Sequence, residues 1–469
     1  MKQNNKAMNF MKYIKLAVIA VVLATAMSSC HIYSNYSLPE EGVVGEYAQI
    51  KNEPVDSTML GNLDWKQIFT DPTLQSYIER ALENNIDLQN AKLNVDIAQA
   101  QLLGAKLNYL PSLALAPNGA GSKYFIDGAS LTWTYQLPLA ASWEIDIFGK
   151  TLNAKRKAKQ SLLQSEAYRQ AVRSQIIGAV ANTYYALVTL NKQYAIFKQT
   201  AENWRESVEM MKQMKEAGRY NEVAVVQSQA NYCSVQATIP AIEMSIHEAN
   251  NTMSLLLNEK MTVWPVNNEA EPLVVTAGID GGIPMKYVAS RPDVAAAEHS
   301  FAAAYYQTNM ARSGFYPSLV LSAQGGFTNI VGDMIMNPGK WFINLAGSLT
   351  MPLFARGQNI QNLKVSKAAQ EQALNKFQYT VLNACAEVSN AYVTMTKTAQ
   401  QRTYYTEQVA NLAKAVEYNQ DLQKYATATY LEVLTAQTQL LAAQQQMLNN
   451  ELAISQASIN LYQSLGGGR

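Results

Sequence analysis

Two long stretches of the chain repeat apolar residues every three or four positions. One runs Leu374, Phe377, Val381, Cys385, Val388, Tyr392 and Met395, with gaps of 3, 4, 4, 3, 4 and 3. That is a helical stripe near heptad spacing. The other runs Val172, Ile176, Val180, Tyr184, Leu187, Leu190, Tyr194 and Phe197. Both stripes read as helix packing. None of the 14 prolines falls between Pro138 and Pro240 or after Pro352, and 358–465 holds neither glycine nor proline. The helices turn at Gly218-Arg219-Tyr220-Asn221, where glycine can cap a C-terminus, and at 425–430, where β-branched threonines weaken a helix. The pattern predicts long arms at 150–217 and 358–425 and return arms at 221–258 and 431–465. At 1.5 Å per residue each long arm would measure about 100 Å. The return arms are half that length, so helical patterns at 74–110 and 286–316 would cover the remainder. The expected body is rod-like: two long helices, each flanked by a pair of shorter ones stacked end to end. Pro240 is expected to bend its return arm.

Strand-like alternation appears at 112–120 and 131–141, then at 318–329 and 341–352. Leu131, Trp133, Tyr135, Leu137 and Leu139 share one face. Trp341, Ile343, Leu345, Gly347 and Leu349 share another. Strands of about ten residues suit the height of an outer-membrane barrel, although each pair alone also fits a soluble hairpin packed on helices. Four strands cannot close, since single-chain barrels begin at about eight. An open edge in hydrocarbon is very costly. Strands that enter lipid therefore need several chains.

The order of elements repeats. Segment 87–148 matches 293–354 at an offset of 206, with Leu110-Pro111-Ser112-Leu113 answering Tyr316-Pro317-Ser318-Leu319. The offset becomes 208 at Asn182 and Tyr184 against Asn390 and Tyr392. It becomes 210 at Tyr220, Glu222 and Val223 against Tyr430, Glu432 and Val433. The chain reads as a tandem duplication of a half-molecule, 73–285 and then 286–469, after an extended segment at 30–72.

The start is an address. Lys2, Lys6, Lys12 and Lys15 precede an apolar run at 16–26, too short to span a bilayer. Ser28 and Ser29 then lead to Cys30. This resembles a bacterial lipoprotein signal, which makes 1–29 the signal peptide and Cys30 the lipid attachment site. An ordinary secretory signal followed by a coincidental cysteine is the alternative. Lys+Arg is 37 against Asp+Glu 36, a net charge of +1, which gives no field for a nucleic-acid partner. Hydrophobic residues at 48% exclude disorder for most of the chain. Three Cys exclude a disulfide scaffold, and three His leave little for a histidine-rich metal site. His247-Glu248 lacks the second histidine of a zincin helix, and His299 sits among alanines. No nucleophile elbow or phosphate-binding loop is present. The chain reads as no enzyme, with no cofactor and no metal. Cys233 and Cys385 read as small packing residues, and Gly466-Gly467-Gly468 as a helix end that frays.

Further motifs fall in a telling order: Trp143-Glu144-Ile145-Asp146-Ile147-Phe148-Gly149-Lys150, Arg291-Pro292-Asp293-Val294, Pro352-Leu353-Phe354 with Gly357, and Tyr430-Leu431-Glu432-Val433-Leu434 with Ala436-Gln437. With these, nearly the whole mature chain resembles TolC-like outer membrane efflux proteins, of the lipoprotein branch that includes NodT and OprM. The resemblance implies an α+β membrane protein in the outer membrane lipid. It implies a homotrimer whose 12-stranded β-barrel, four strands per chain, continues into a periplasmic α-helical barrel. Such proteins are passive exit ducts of tripartite pumps, joined by a periplasmic adaptor to an inner-membrane RND-type transporter. On matching positions Leu431 would form an apolar gate ring and Glu432 a charged one, with simple packing and a solvated carboxylate as the alternatives. Thr435 stands where relatives often carry an aspartate, and Ala426 near a usual glycine. Gly218 and Arg219 match the adaptor-contacting tip. Drugs or other small toxic compounds are the expected cargo; heavy-metal export stays open beside them, although no Met or His cluster supports it. A structural periplasmic coiled-coil lipoprotein and a type I protein secretion exit channel are the competing functions.

Overall fold

Several helices in this chain start at a capping side chain: Asp64, Asp71, Asn85 and Asn221 each accept a backbone N–H of the first turn. A computed structural model describes residues 33–51, 60–123, 131–275, 285–330, 340–425 and 429–468. The signal segment, Cys30 and Ala426 lie outside the described residues. The segment expected to be extended instead carries α1 (Gly42–Ile50), a short 3₁₀ turn at Leu60–Asn62 and α2 (Trp65–Ile68). The single helix expected at 74–110 is two, α3 (Pro72–Asn84) and α4 (Ile86–Leu107). Asn85 breaks it. Its side chain accepts from the backbone N–H groups of Asp87 and Leu88 at 2.9 and 3.2 Å and donates to Leu256 O at 2.9 Å. Asn85→Ala removes a cap and leaves a buried carbonyl short of a partner, so it is expected to cost about 2 kcal/mol, read as a lowered unfolding midpoint.

The long arms are α5 (Lys150–Glu216) and α9 (Gln358–Lys424), 67 residues each. Their returns are α6 (Glu222–Leu257) and α10 (Tyr430–Ser464). Pro240 does not end α6, which continues through it. The expected helix at 286–316 is also two, α7 (Met285–Ala289) and α8 (Pro292–Ser313). Both predicted stripes face inward: Val180, Tyr184 and Phe377, Val381, Val388 are fully buried. No described helix is long and apolar enough to cross a membrane.

The strands are β1 (Ser112–Leu115), β2 (Asn118–Ser122), β3 (Thr132–Ile145), β4 (Ser318–Ile330) and β5 (Trp341–Thr350). The first predicted strand is split because Pro117 has no N–H to continue the ladder. Both pieces pair antiparallel with β3. The two predicted pairs form one sheet, in the order β1-β3-β4-β5.

The chain divides into two compact units, and neither coincides with 73–285 or 286–469. The sheet unit holds the strands together with residues up to Leu38, Val95–Ser165 and Ala297–Phe377. The helical unit holds Pro39–Asn94, Glu166–Ala296 and Gln378–Arg469. In its core α3 and Trp264 pack on Ile176, Val180 and Tyr184 of α5 and on Tyr462 of α10. The terminal glycines do not fray. Gly466 to Gly468 are buried, Ser174 Oγ donates to Gly467 O at 2.5 Å, and Arg173 Nη1 donates to Gly468 O at 2.6 Å.

Candidate functional site

In an antiparallel sheet, directly opposed residues lie on the same face. The register therefore sorts every strand side chain. Leu113, Ala141, Ala323 and Leu345 form one row across the sheet, and Leu115, Leu139, Gly325 and Ile343 the next. Adding Trp133, Tyr135, Leu137, Trp143, Phe327, Trp341 and Leu349 gives a face that is almost wholly apolar. The two alternations seen in the sequence, expected on separate faces, thus share one. Much of it is bare: Leu345 is 76% exposed and Trp341 62%. The opposite face carries Thr134, Gln136, Ser142, Ser322, Gln324, Thr328, Asn344 and Ser348, with Val320, Ile330 and Phe342 as its large apolar members. Its one charge among the described strand residues, Glu144, is 3.0 Å from Lys150 Nζ.

Trp133 and Trp143 bracket the apolar face on one strand. Ten steps at about 3.4 Å, tilted by about 40°, rise about 26 Å, against an apolar band of about 25 Å in outer-membrane barrels. Trp143 Nε1 donates to Tyr109 O at 3.0 Å, and Lys155 lies over the Tyr109 ring, 5.8 Å away. An amphipathic aromatic held beside a cation suits a lipid–water border. Beyond the end of β3, Tyr33 donates to Phe148 O at 2.9 Å. Burial chiefly, then Tyr316 and Asp146, push the Tyr33 phenol up.

The second candidate region is the helical tip. Gly218 adopts φ +73° and closes α5. Gly218 N donates to Lys215 O and Arg219 N to Met214 O, both at 2.9 Å, the bonding of a Schellman end. A salt bridge from Lys215 to Glu222 spans the turn. Open space surrounds Gly218. Gly218→Ala is expected to cost about 1 kcal/mol through its backbone alone, checked by thermal melting.

At the start of α10, Leu431, Glu432 and Thr435 are all exposed. Thr435 Oγ1 donates back to Leu431 O at 2.7 Å. Glu432 Oε2 accepts the Thr429 backbone N–H at 2.6 Å, half of a capping box. The proposed charge thus also builds the helix start. Sequence reasoning named Tyr430 in a motif but gave it no role; it anchors this turn. Its ring is buried with Phe197, Trp204 and Leu434, and its hydroxyl bonds Ser228 Oγ. The signal was available in its match to Tyr220, whose ring meets it edge-on at 6.1 Å. Gly218 and Arg219 lie on the α5–α6 turn and the other three residues on α10, so the two candidate sets come from separate turns of one tip.

Among the described residues, no group of three or more His, Cys, Asp or Glu could hold a metal. His247 pairs with Asn251 and His299 with Gln160, at 3.2 and 2.8 Å. Cys385 is partly buried and its thiol is pushed up by that burial. Cys233 is exposed, which corrects its reading as a packing residue.

A family model described as "outer membrane efflux protein" matches this chain twice, over residues 77–259 and 284–467. The cation efflux system protein CusC of Escherichia coli O6:H1 is 26% identical over 449 residues, 95% of this chain and 97% of that protein. The pyoverdine export outer membrane protein OpmQ of Pseudomonas aeruginosa is 29% identical over 415 residues, 86% of this chain and 87% of that protein. A crystal structure of CusC superposes with a TM-score of 0.83 at 25% identity, over 93% of this chain and 100% of that one. The shared fold is mixed α/β and mostly helical.

Proposed function

The chain belongs to the outer membrane efflux protein family, and on that footing we propose that it is the passive exit duct of a tripartite system, driven by an inner-membrane RND-type pump through a periplasmic adaptor. It is an outer-membrane efflux channel rather than an enzyme, and its place is the outer membrane. The observation that carries the duct is the sheet: four positions wide, open at β1 and β5, apolar and bare on one face, polar on the other. Such a sheet is unstable in lipid as a single copy. Three copies pairing edge to edge make 12 strands, a closed barrel with hydroxyl and amide groups lining the pore. The same uncovered face disfavours a purely periplasmic coiled-coil lipoprotein, which would have to hide it.

The halves 73–285 and 286–469 are read as a tandem duplication. The doubled family match supports this, as does the repeated order of a helix pair, sheet strands, a 67-residue helix and its return. Cys30 carries the lipid anchor, Gly218 and Arg219 meet the adaptor, and Leu431, Glu432 and Thr435 form the periplasmic gate. The relatives are named for cation efflux and for pyoverdine export. A pore face this poor in charge selects weakly, so drugs and other small toxic compounds are read as the cargo, in preference to secreted protein. Deleting the gene should sensitise cells to dyes, detergents and antibiotics; unaltered sensitivity would count against drug export.

The gate has its own test in single-channel recording. Glutamine can still close the capping box, so Glu432→Gln removes charge and keeps structure. It should lower cation selectivity with no loss of folding. Glu432→Ala should lose the same selectivity and about 1 kcal/mol of helix stability as well. Unchanged selectivity in both variants rejects the charged ring.

A further inference from the structure

The apolar face of the sheet is not flat. Ala141, Ala323 and Gly347 are small residues set among Trp143, Leu321 and Leu345. With Pro111 at its edge they leave an apolar hollow of about 520 Å³. It lies toward the same end of the sheet as Tyr109, where Trp143 is held. The chain's own N-terminal segment reaches that end as well. Tyr33 is fixed to Phe148, five residues beyond Trp143, and its ring lies against Gly149. Phe148 in turn stacks on Tyr316, with centroids 5.0 Å apart. Cys30 is only three residues before Tyr33, a reach of at most about 11 Å. A lipid carried on Cys30 would therefore start within that reach of Tyr33, at this end of the sheet.

We propose that the hollow bounded by Pro111, Ala141, Trp143, Ala323, Leu345 and Gly347 is the seat of an acyl chain carried on Cys30. The chain lies along the lipid-facing side of the sheet, burying methylenes where side chains leave room. The occupant is this chain's own anchor: the tether that ends at Tyr33 is short, and Tyr33 lies at the hollow's end of the sheet. This rests on the reading of Cys30 as a lipidated cysteine.

The test uses the full-length protein in cells fed a palmitate analogue bearing an alkyne and a diazirine. After irradiation, protein purified from the outer membrane is digested and the cross-linked peptides are sequenced. The Cys30 peptide should be joined to the peptide carrying Ala141–Trp143, Leu321–Ala323 or Leu345–Gly347. Ala323→Trp fills the hollow and should lower that yield about tenfold, the effect of displacing about two buried methylenes. Leu349→Trp lies on the same face outside the hollow and should leave the yield unchanged. An acylated Cys30 joined elsewhere, or joined only to membrane lipid, overturns the seat and leaves lipidation standing. A Cys30 that carries no acyl chain overturns both. Cross-links to the hollow from labelled phospholipid, with none from the Cys30 peptide, assign it to bulk lipid and also overturn the proposal.

Discussion

Leu345→Lys should remove folded protein from the outer membrane. Leu345 lies mid-strand on the apolar face and is bare in the single chain. A lysine on the lipid face costs about 2–4 kcal/mol at the bilayer midplane and less toward the border. The proposed trimer carries three, so the total is a large share of the stability of a typical domain, about 5–15 kcal/mol. Gln324→Lys is the matched control. Gln324 is one residue along β4 from Ala323, the partner of Leu345, and a step of one reverses the face. That lysine would line the pore, leave assembly intact and shift the reversal potential in a salt gradient toward anions. Membrane fractionation and gel mobility of unheated samples read the first variant, and planar-bilayer recording reads the second. Normal insertion of Leu345→Lys would mean that this face does not meet lipid.

The helical arms were legible because nothing competes with a run free of glycine and proline. Their observed ends differ from the predicted ones by at most one residue. The breaks inside shorter helices were not, since Asn85 sits in an otherwise helical pattern and declares itself only by bonding Asp87, Leu88 and Leu256. Strand positions could be read from alternation, but not the single sheet. Pairs such as Leu139 and Gly325 are far apart in the chain, and alternation says which residues share a face of one strand without saying which strands pair. The tip shows a different limit. The resemblance pointed to Leu431 and Glu432, while the physical reason for their position lies in Tyr430 and the Thr429 cap, neither of which a periodic stripe marks out. Gly466-Gly467-Gly468 looked like a loose end because glycine is permissive. Here it is used for close approach.

That close approach gives the second large effect, a loosening of the helical unit's core in Tyr462→Ala. Tyr462 is fully buried. Its hydroxyl donates to Leu63 O at 2.8 Å and accepts from Gly468 N at 2.9 Å, and its ring meets Phe69 edge-on at 6.0 Å. One side chain thus ties the end of α10, the terminal glycines and the segment before α3. Removing it should cost about 3–5 kcal/mol through the cavity alone. Tyr462→Phe keeps the ring and strands the Leu63 carbonyl and the Gly468 N–H, for about 1–3 kcal/mol. Gly467→Ala attacks the same packing from the other side, because a Cβ there would collide with the Tyr462 ring. Overpacking of that kind costs about 1–3 kcal/mol. Backbone hydrogen exchange over residues 60–69 reports all three, with the loss of protection largest for Tyr462→Ala. If that segment kept full protection in Tyr462→Ala, Tyr462 would be a filler of space and not the tie between these three pieces of chain.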